Sequence, residues 1–397
     1  MTGRPQTGAT IGILSNGHGE DVIGVQLARA LGRICPSAVV KAFPIVGVGA
    51  AYEKAGVPLL GPRKALPSGG LTLHHPKLLW RDLTSGLASL TVRQVAQLRR
   101  LEFDALIIVG DIYALLLGAM VPAPERYFIQ TLVSTRHQGS AWSPRIFMER
   151  FTAAEIYLMK RVARQVYVRD EASERQLQGR GVGHVRSFGN PMMDAITPAG
   201  EPLSGLSLTE PVVALLPGTR KNAAASLELM LDALRMFDRG TGLVAWAGGE
   251  LPRASGWREA AGGSELPGVV HLWQRGSRKV YVVRERFAEV IAAAQLAVGT
   301  AGTAHEQAAG TGLPVISFPL PPYHTRRFLD NQKRLLGAAL TIVPAAASRV
   351  AEALSKLWHD PELRARAAEI GRERMGPPGA SAAIAEDIAR QAGLKTK

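Results

Sequence analysis

The chain has 397 residues, more than one domain of ordinary size holds, so two domains are expected; with 46% hydrophobic and only 20% charged residues, intrinsic disorder is excluded. A formal net charge of +14 asks for an acidic partner, whether nucleic acid, an anionic membrane surface or a phosphorylated substrate. The one cysteine, Cys35, excludes an intrachain disulfide and a cysteine-built zinc site. The first residues lack the apolar core of a signal peptide, and no apolar run reaches the roughly 18 residues of a spanning helix, so a cytoplasmic protein is expected.

In chain order, Thr10–Leu14 reads as a buried strand, Ser15–Asp21 as a Gly-containing loop and Ile23–Leu31 as a helix, the opening unit of a doubly wound domain. Val39–Phe43 is the second strand, Gly47–Ala55 a loop and short helix, and Gly56–Gly70 a breaker-rich connector. Residues 61–101 hold seven basic residues (Arg63, Lys64, Lys77, Arg81, Arg93, Arg99, Arg100) against one acid, Asp82, interleaved with leucines and Trp80. Such a stretch suits an anionic membrane surface, or equally an amphipathic helix over Lys77–Leu101 with a solvated basic face. Ala105–Val109 is a buried strand ending in Gly110-Asp111, where a carboxylate is placed either as a base or as a helix N-cap. Tyr127–Gln130 is a further strand, Ser140–Arg169 a long helical region running into a short strand at Gln165–Val168, and Val185–Phe188 leads to Gly189-Asn190-Pro191-Met192-Met193-Asp194.

Ala199–Glu210 lacks periodicity and reads as the linker, which divides the chain into domains over 1–198 and 199–397. The strand–helix pattern then restarts. Pro211–Leu216 is followed by Pro217-Gly218-Thr219-Arg220-Lys221-Asn222 and a helix over Ala223–Phe237; Gly242–Ala247 and Val269–Trp273 are strands and Phe287–Ala294 a helix. Val298–Pro319 is the most informative stretch. A strand end meets Gly299-Thr300-Ala301-Gly302-Thr303, whose glycines admit a close ligand, and a short helix then aims its free N–H groups at the turn, which favours a phosphate. Glu306 in that helix suits two neighbouring sugar hydroxyls, so a nucleotide-sugar would satisfy both features. The same residues also fit a capping box, Thr303 to Glu306, and His305 fits a plain helix-start residue. Ser348–Ala392 is largely helical, with a break near Gly376–Gly379.

Five segments in order resemble glycosyltransferases of the GT-B architecture, most closely the lipid A disaccharide synthase-related family: Ser15–Asp21 with Gly24, Gly110-Asp111, Gly189–Asp194, Leu215–Arg220, and Thr300–Ala309 with Leu313-Pro314. The peptidoglycan-precursor N-acetylglucosaminyltransferase is similar in the His18 loop and the Glu306 helix. The resemblance implies an α/β fold of two Rossmann-like doubly wound domains facing a central cleft, an N-terminal acceptor domain, a C-terminal donor domain, and a last helix crossing back to the first. It departs in Gln130–Trp142, which lacks the family's Trp-Ala-Trp-Arg run, and in Arg220-Lys221-Asn222, where the synthase has Arg-x-x-Glu.

Transfer from a nucleotide-sugar needs neutralisation of the diphosphate, loss of a proton from the acceptor and orientation of the sugar. Arg220, with Gly218, Thr219 and the turn Gly299, Thr300, Gly302 and Thr303, is expected to serve the diphosphate, Glu306 two neighbouring sugar hydroxyls of the donor, and Asn190 the donor side of the cleft. Asp111 is the first candidate base, with His18 and Asp21 as others; Ser15, Asn16, Gly17 and Gly19 line the acceptor side. No Asp-x-Asp pair occurs, so no dedicated metal site and no cofactor beyond the UDP-sugar co-substrate are expected. The expected activity is inverting, metal-independent transfer from a UDP-sugar to a lipid-linked acceptor at the cytoplasmic membrane face, with residues 61–101 on the membrane. A UDP-GlcNAc 2-epimerase-like enzyme and a non-catalytic nucleotide-sugar-binding protein are the alternatives. No recognisable nucleic-acid-binding signature is present.

Overall fold

The computed structural model describes residues 8–64, 80, 83–137, 149–198, 202–237, 239–260 and 266–397. They form two units, Met1–Ala195 with Pro377–Lys397, and Ile196–Gly376.

The first unit runs β1 (Thr10–Ser15), α1 (His18–Ile34), β2 (Val39–Pro44), α2 (Ala50–Lys54), α3 (Leu87–Leu98), β3 (Ala105–Val109), α4 (Ile112–Gly118), β4 (Glu125–Gln130), α5 (Ala153–Val162), β5 (Gln165–Val168), α6 (Glu171–Gly179) and β6 (Val185–Ser187). The sheet order is β2-β1-β3-β4-β5-β6, with every neighbouring pair parallel. Strand β3 shows why its sequence is an unbroken apolar run: it is buried on both faces. Leu106 and Ile108 pack with Leu90, Leu115, Ile156 and Met159, while Ala105, Ile107 and Val109 face Ile23, Leu27 and Leu31 of α1. The alternation is the period of two that a strand imposes.

The second unit contains β7 (Val212–Leu216), α7 (Ala223–Phe237), β8 (Thr241–Ala245), β9 (Arg258–Glu259), β10 (Val269–Arg275), β11 (Arg278–Val283), α8 (Phe287–Ala293), β12 (Leu296–Gly299), α9 (Gly302–Gly310), β13 (Val315–Ser317), α10 (Arg326–Leu336), β14 (Leu340–Ile342), α11 (Ala347–His359) and α12 (Pro361–Met375). Its sheet order is β14-β13-β12-β7-β8-β11-β10-β9. β10 and β11 form an antiparallel hairpin, whereas the sequence pattern gives only the first of them. The turn Arg275–Arg278 carries a single glycine between charged residues, and β11 opens on Arg278-Lys279, which hides its apolar half.

Two helical expectations are corrected. The region expected to be helical over Ser140–Arg169 is interrupted: among the described residues Glu149 and Ala153–Val162 are helical, Ala163 leaves helical geometry and β5 begins at Gln165; residues 138–148 lie outside the described set. Of the Lys77–Leu101 stretch, Trp80, Leu83, Thr84 and Leu87–Leu98 are helical with a turn at Ser85-Gly86, Leu87, Leu90 and Leu98 are buried, and residues 65–79 and 81–82 lie outside the described set. Among the described residues no helix is long and apolar enough to cross a membrane.

The last helix, α13 (Ala380–Gln391), belongs to the first unit, where Ile384 and Ile388 join the α1 side of the core. Two carboxylates secure it. Asp194 accepts hydrogen bonds from the Gly379 and Ser381 amides, so the final residue of the Gly189–Asp194 motif caps α13. Asp387, 2% exposed, accepts from the Tyr167 hydroxyl at 2.8 Å, the Gln391 amide at 2.6 Å, Arg186 at 3.0 Å and Arg390. Replacing Asp387 by Ala strands the buried Tyr167 hydroxyl while the half-exposed Arg186 turns to solvent, and is expected to cost about 1–3 kcal/mol, read by urea denaturation followed by circular dichroism.

Candidate functional site

In each unit the parallel strands end at one edge, and neighbouring strands whose connections run in opposite directions open a crevice there. The first unit has this divergence between β1 and β3, and the second between β7 and β12.

At the first divergence, the Asn16 side-chain amide donates to Asp111 Oδ1 at 2.8 Å. Gly110, at φ 146°, lets the two loops approach: a Cβ there would lie 2.9 Å from the Asn16 Cβ. Asp111, 1% exposed, is the N-cap of α4 and accepts from the Tyr113 and Ala114 amides at 3.0 and 3.3 Å. Base candidate and cap are therefore one residue. Burial lifts its carboxyl to about 6, against the lowering effect of those hydrogen bonds.

Asp21 is buried behind this point. Ser15 donates to it at 2.6 Å, and the Tyr52 hydroxyl donates to Ser15 Oγ at 3.0 Å. Gly24 makes room for that tyrosine, since a Cβ would lie 1.9 Å from the hydroxyl. Ser15 and Asp21 thus form an internal relay rather than an open surface. Burial raises Asp21 to about 7, and raises Glu20 to about 7 with the charges of Asp111 and Asp21 adding to the effect. Gly17, at φ 147°, is the N-cap of α1; His18 is exposed at the first helical position, and beside Gly19 there is open space.

Two residues that sequence reasoning passed over complete the cluster. The Gln130 amide donates to Glu155, whose other oxygen, Oε2, is buried with no hydrogen-bond partner. Burial raises Glu155 to about 8, and the Asp111 charge adds to it. Thr152 caps α5 through the Glu155 amide, so the available signal, Thr152-x-x-Glu155, reads as an ordinary capping box.

In the second unit, Gly218 at φ 79° brings the β7–α7 loop against Ala301, 3.1 Å from where its Cβ would sit. Thr300 is buried and bonded to Ser226 at 2.5 Å and to the Pro217 carbonyl at 3.3 Å, so its hydroxyl ties the two loops together. Gly299 ends β12, with the His305 ring packed on it. Thr219 and Thr303 are exposed. Arg220 lies over the Tyr323 ring at 6.0 Å, and Asn222 donates to the Leu320 carbonyl.

The capping-box reading of Glu306 is overturned. Ala301, not Thr303, is the N-cap of α9, and no side chain caps that end. Glu306, 8% exposed, instead accepts from Gln332 of α10 at 3.1 Å. Two buried histidines lie beside it: His305 and His324 have ring centroids 6.4 Å apart, and Phe328 meets His324 edge-on at 5.3 Å. Burial holds both neutral, lowering His305 to about 4 and His324 to about 3, the latter helped by His305 and Arg220. Asn190 belongs to the first unit, buried at the start of a turn where its Oδ1 accepts from the Met192 amide. Among the described residues no group of His, Cys, Asp and Glu is placed to hold a metal ion.

Neither the family models nor the curated proteins give a match. Solved structures do. S. aureus MnaA in its UDP co-structure aligns with 98% of each chain at TM-score 0.61 and 12% identity. The Neisseria meningitidis UDP-GlcNAc 2-epimerase bound to UDP-GlcNAc aligns with 96% of this chain and 100% of its own at 0.55 and 12%. The glycosyltransferase of kitacinnamycin aligns with 97% of this chain and 99% of its own at 0.57 and 15%. At such identities the likeness shows the fold, which is GT-B: α/β, with two Rossmann-like domains built on parallel strands.

Two predictions follow from the burial pattern. A carboxyl raised in the fold keeps its proton while the unfolded chain has lost it, so the first unit loses stability as pH rises from about 4 to about 8. A histidine lowered in the fold stays neutral while the unfolded chain is protonated, so the second unit loses stability as pH falls from about 6.5 to about 4. Hydrogen-exchange protection of α1 against α9 across this range should show opposite trends, and Glu155→Gln should flatten the first. Gly110→Ala, forced against Asn16 at positive φ, is expected to cost about 2 kcal/mol in thermal denaturation.

Proposed function

We propose that the protein is an inverting, metal-independent glycosyltransferase of the lipid A disaccharide synthase-related kind. It would move a hexose or GlcNAc-type sugar from a UDP-sugar to a lipid-linked acceptor, working from the cytoplasm at the inner face of the membrane. The observation that carries the reading is Glu306, a carboxyl that does not cap its own helix and is held instead by Gln332, in a helix whose start after β12 carries no side-chain cap; Arg220 follows the neighbouring strand β7. A helix N-terminus and an arginine suit a diphosphate, and a fixed carboxylate suits a ribose diol.

In this mechanism Asp111 takes the proton of the acceptor hydroxyl. A carboxyl near 6 is mostly ionised at neutral pH and basic enough to accept a proton as the new bond forms. The acceptor oxygen attacks the anomeric carbon, the bond to the diphosphate breaks, and Arg220 with the α9 amides opposes the charge that develops on the leaving group. The basic stretch 61–101 supports contact with an anionic lipid surface.

A second reading, UDP-sugar epimerisation, is favoured by the additional acids. Moving a proton off and back onto a sugar carbon needs more than one carrier, and Glu20 and Glu155 lie within electrostatic reach of Asp111.

UDP is expected to raise the melting temperature selectively over ADP and GDP, with or without EDTA. Asp111→Asn, which keeps a good helix cap, should retain that shift and lose transfer by a factor of roughly 100 or more. Isomerisation of the UDP-sugar without an acceptor would establish the epimerase, and binding without either turnover a non-catalytic binder.

A further inference from the structure

We propose that Gln332 is a positioning residue of the nucleotide site: it fixes the Glu306 carboxylate so that the site selects a nucleotide whose sugar carries both the 2′- and the 3′-hydroxyl. The inference rests on the nucleotide reading above and deepens it.

Helices α9 and α10 meet along matching faces. A Cβ on Gly302 would lie 2.6 Å from Phe328 Cζ, and one turn further along both helices Glu306 meets Gln332. Residues four apart share a helix face, so these two contacts set the helices side by side in the same direction. The absence of a side chain at Gly302 lets Phe328 seat there, and Phe328 in turn sets the height at which Gln332 reaches the carboxylate. Thr325 fixes the start of α10 as its N-cap, accepting from the Phe328 amide at 3.3 Å.

The chemistry of the pair suits orientation rather than neutralisation. A lysine or arginine at this place would cancel the charge of Glu306. An amide donates a hydrogen bond and carries no charge of its own, so it orients a carboxyl group without neutralising it. The terminal torsion of a glutamate is intrinsically broad, a diol needs two acceptor directions held together, and the Gln332 bond is a contact that holds one of them. Gln332 is 7% exposed, and its Oε1 is buried with no hydrogen-bond partner. Buried acceptors seldom stay unpaired in a finished structure, and a ligand hydroxyl is a donor that would satisfy this one. A glutamine that merely tied two helices together would affect stability and leave ligand preference unchanged.

The test is calorimetric titration of UDP and 2′-deoxy-UDP into the full-length protein, Gln332→Met, Glu306→Gln and the double variant. The wild type is expected to favour UDP roughly tenfold or more, the worth of one hydrogen bond to a charged group. Gln332→Met keeps the side chain's length and removes the amide. It should weaken UDP about tenfold and leave 2′-deoxy-UDP within about twofold, while the ligand-free melting temperature stays near that of the wild type. In the Glu306→Gln background the second substitution should change the preference no further. A wild-type ratio of affinities in Gln332→Met overturns the proposal, as does a wild type indifferent to the 2′-hydroxyl. A wild type that binds neither nucleotide refutes the nucleotide reading itself, a result distinct from UDP binding with an unchanged ratio. Should methionine impair folding, Gln332→Asn, with the amide one carbon short of Glu306, is judged by the same ratio.

Discussion

Parallel strands end together, and the ties Asn16–Asp111 and Thr300–Pro217 both sit where two adjacent strands send their chains apart. In the first unit β1 and β3 diverge, and in the second β7 and β12 do. The strand cores are saturated with apolar contacts on both faces, so polar side chains can gather only at the strand ends, where loops replace packed sheet. Gly110 and Gly218 hold positive φ at these points and let backbones approach that a Cβ would keep apart. The hydrogen bond from Asn16 to Asp111 and the tie from Thr300 to Pro217 are consequences of that approach.

Burial then decides what these groups can do. Around Asp111 it works against ionisation, and the hydrogen bonds from Asn16 and the α4 amides pull part of the way back, leaving that carboxyl poised below neutrality. Glu155 is pushed up by burial and by the Asp111 charge more than the Gln130 amide and the Thr152 backbone bring it down, and stays protonated at neutral pH. The two carboxyls are equally buried; they differ in the number of hydrogen bonds that favour the charge and in the Asp111 charge that opposes ionisation of Glu155. In the second unit the same force holds His305 and His324 neutral beside Arg220, so the permanent positive charge there belongs to the arginine.

Much of the framework was legible in the order of residues. Runs such as Ala105–Val109 and Val212–Leu216 announce doubly buried strands, and the glycine-bearing loops after them mark the strand-end edge where Asp111, Gly218 and Arg220 sit. The β10–β11 hairpin was not legible, because the charged start of β11 masks its apolar half. Glu155 was not, because its spacing to Thr152 is that of a helix cap whichever way the carboxylate turns.

The sequence by itself determined two βα halves and the loops that carry their chemistry, since hydrophobic period and glycine placement are local properties of the chain. Only the tertiary structure decided which role each polar residue holds. Thr303 and Glu306 have the spacing of a capping box, yet the helix starts at Gly302 and the carboxylate is claimed by Gln332, 26 residues away. Asp194 closes a conspicuous motif, yet it caps a helix that returns from the chain's end. Local spacing fixes where a side chain begins; long-range packing fixes the partner it meets and the solvent it loses, and those two set its charge and its chemistry.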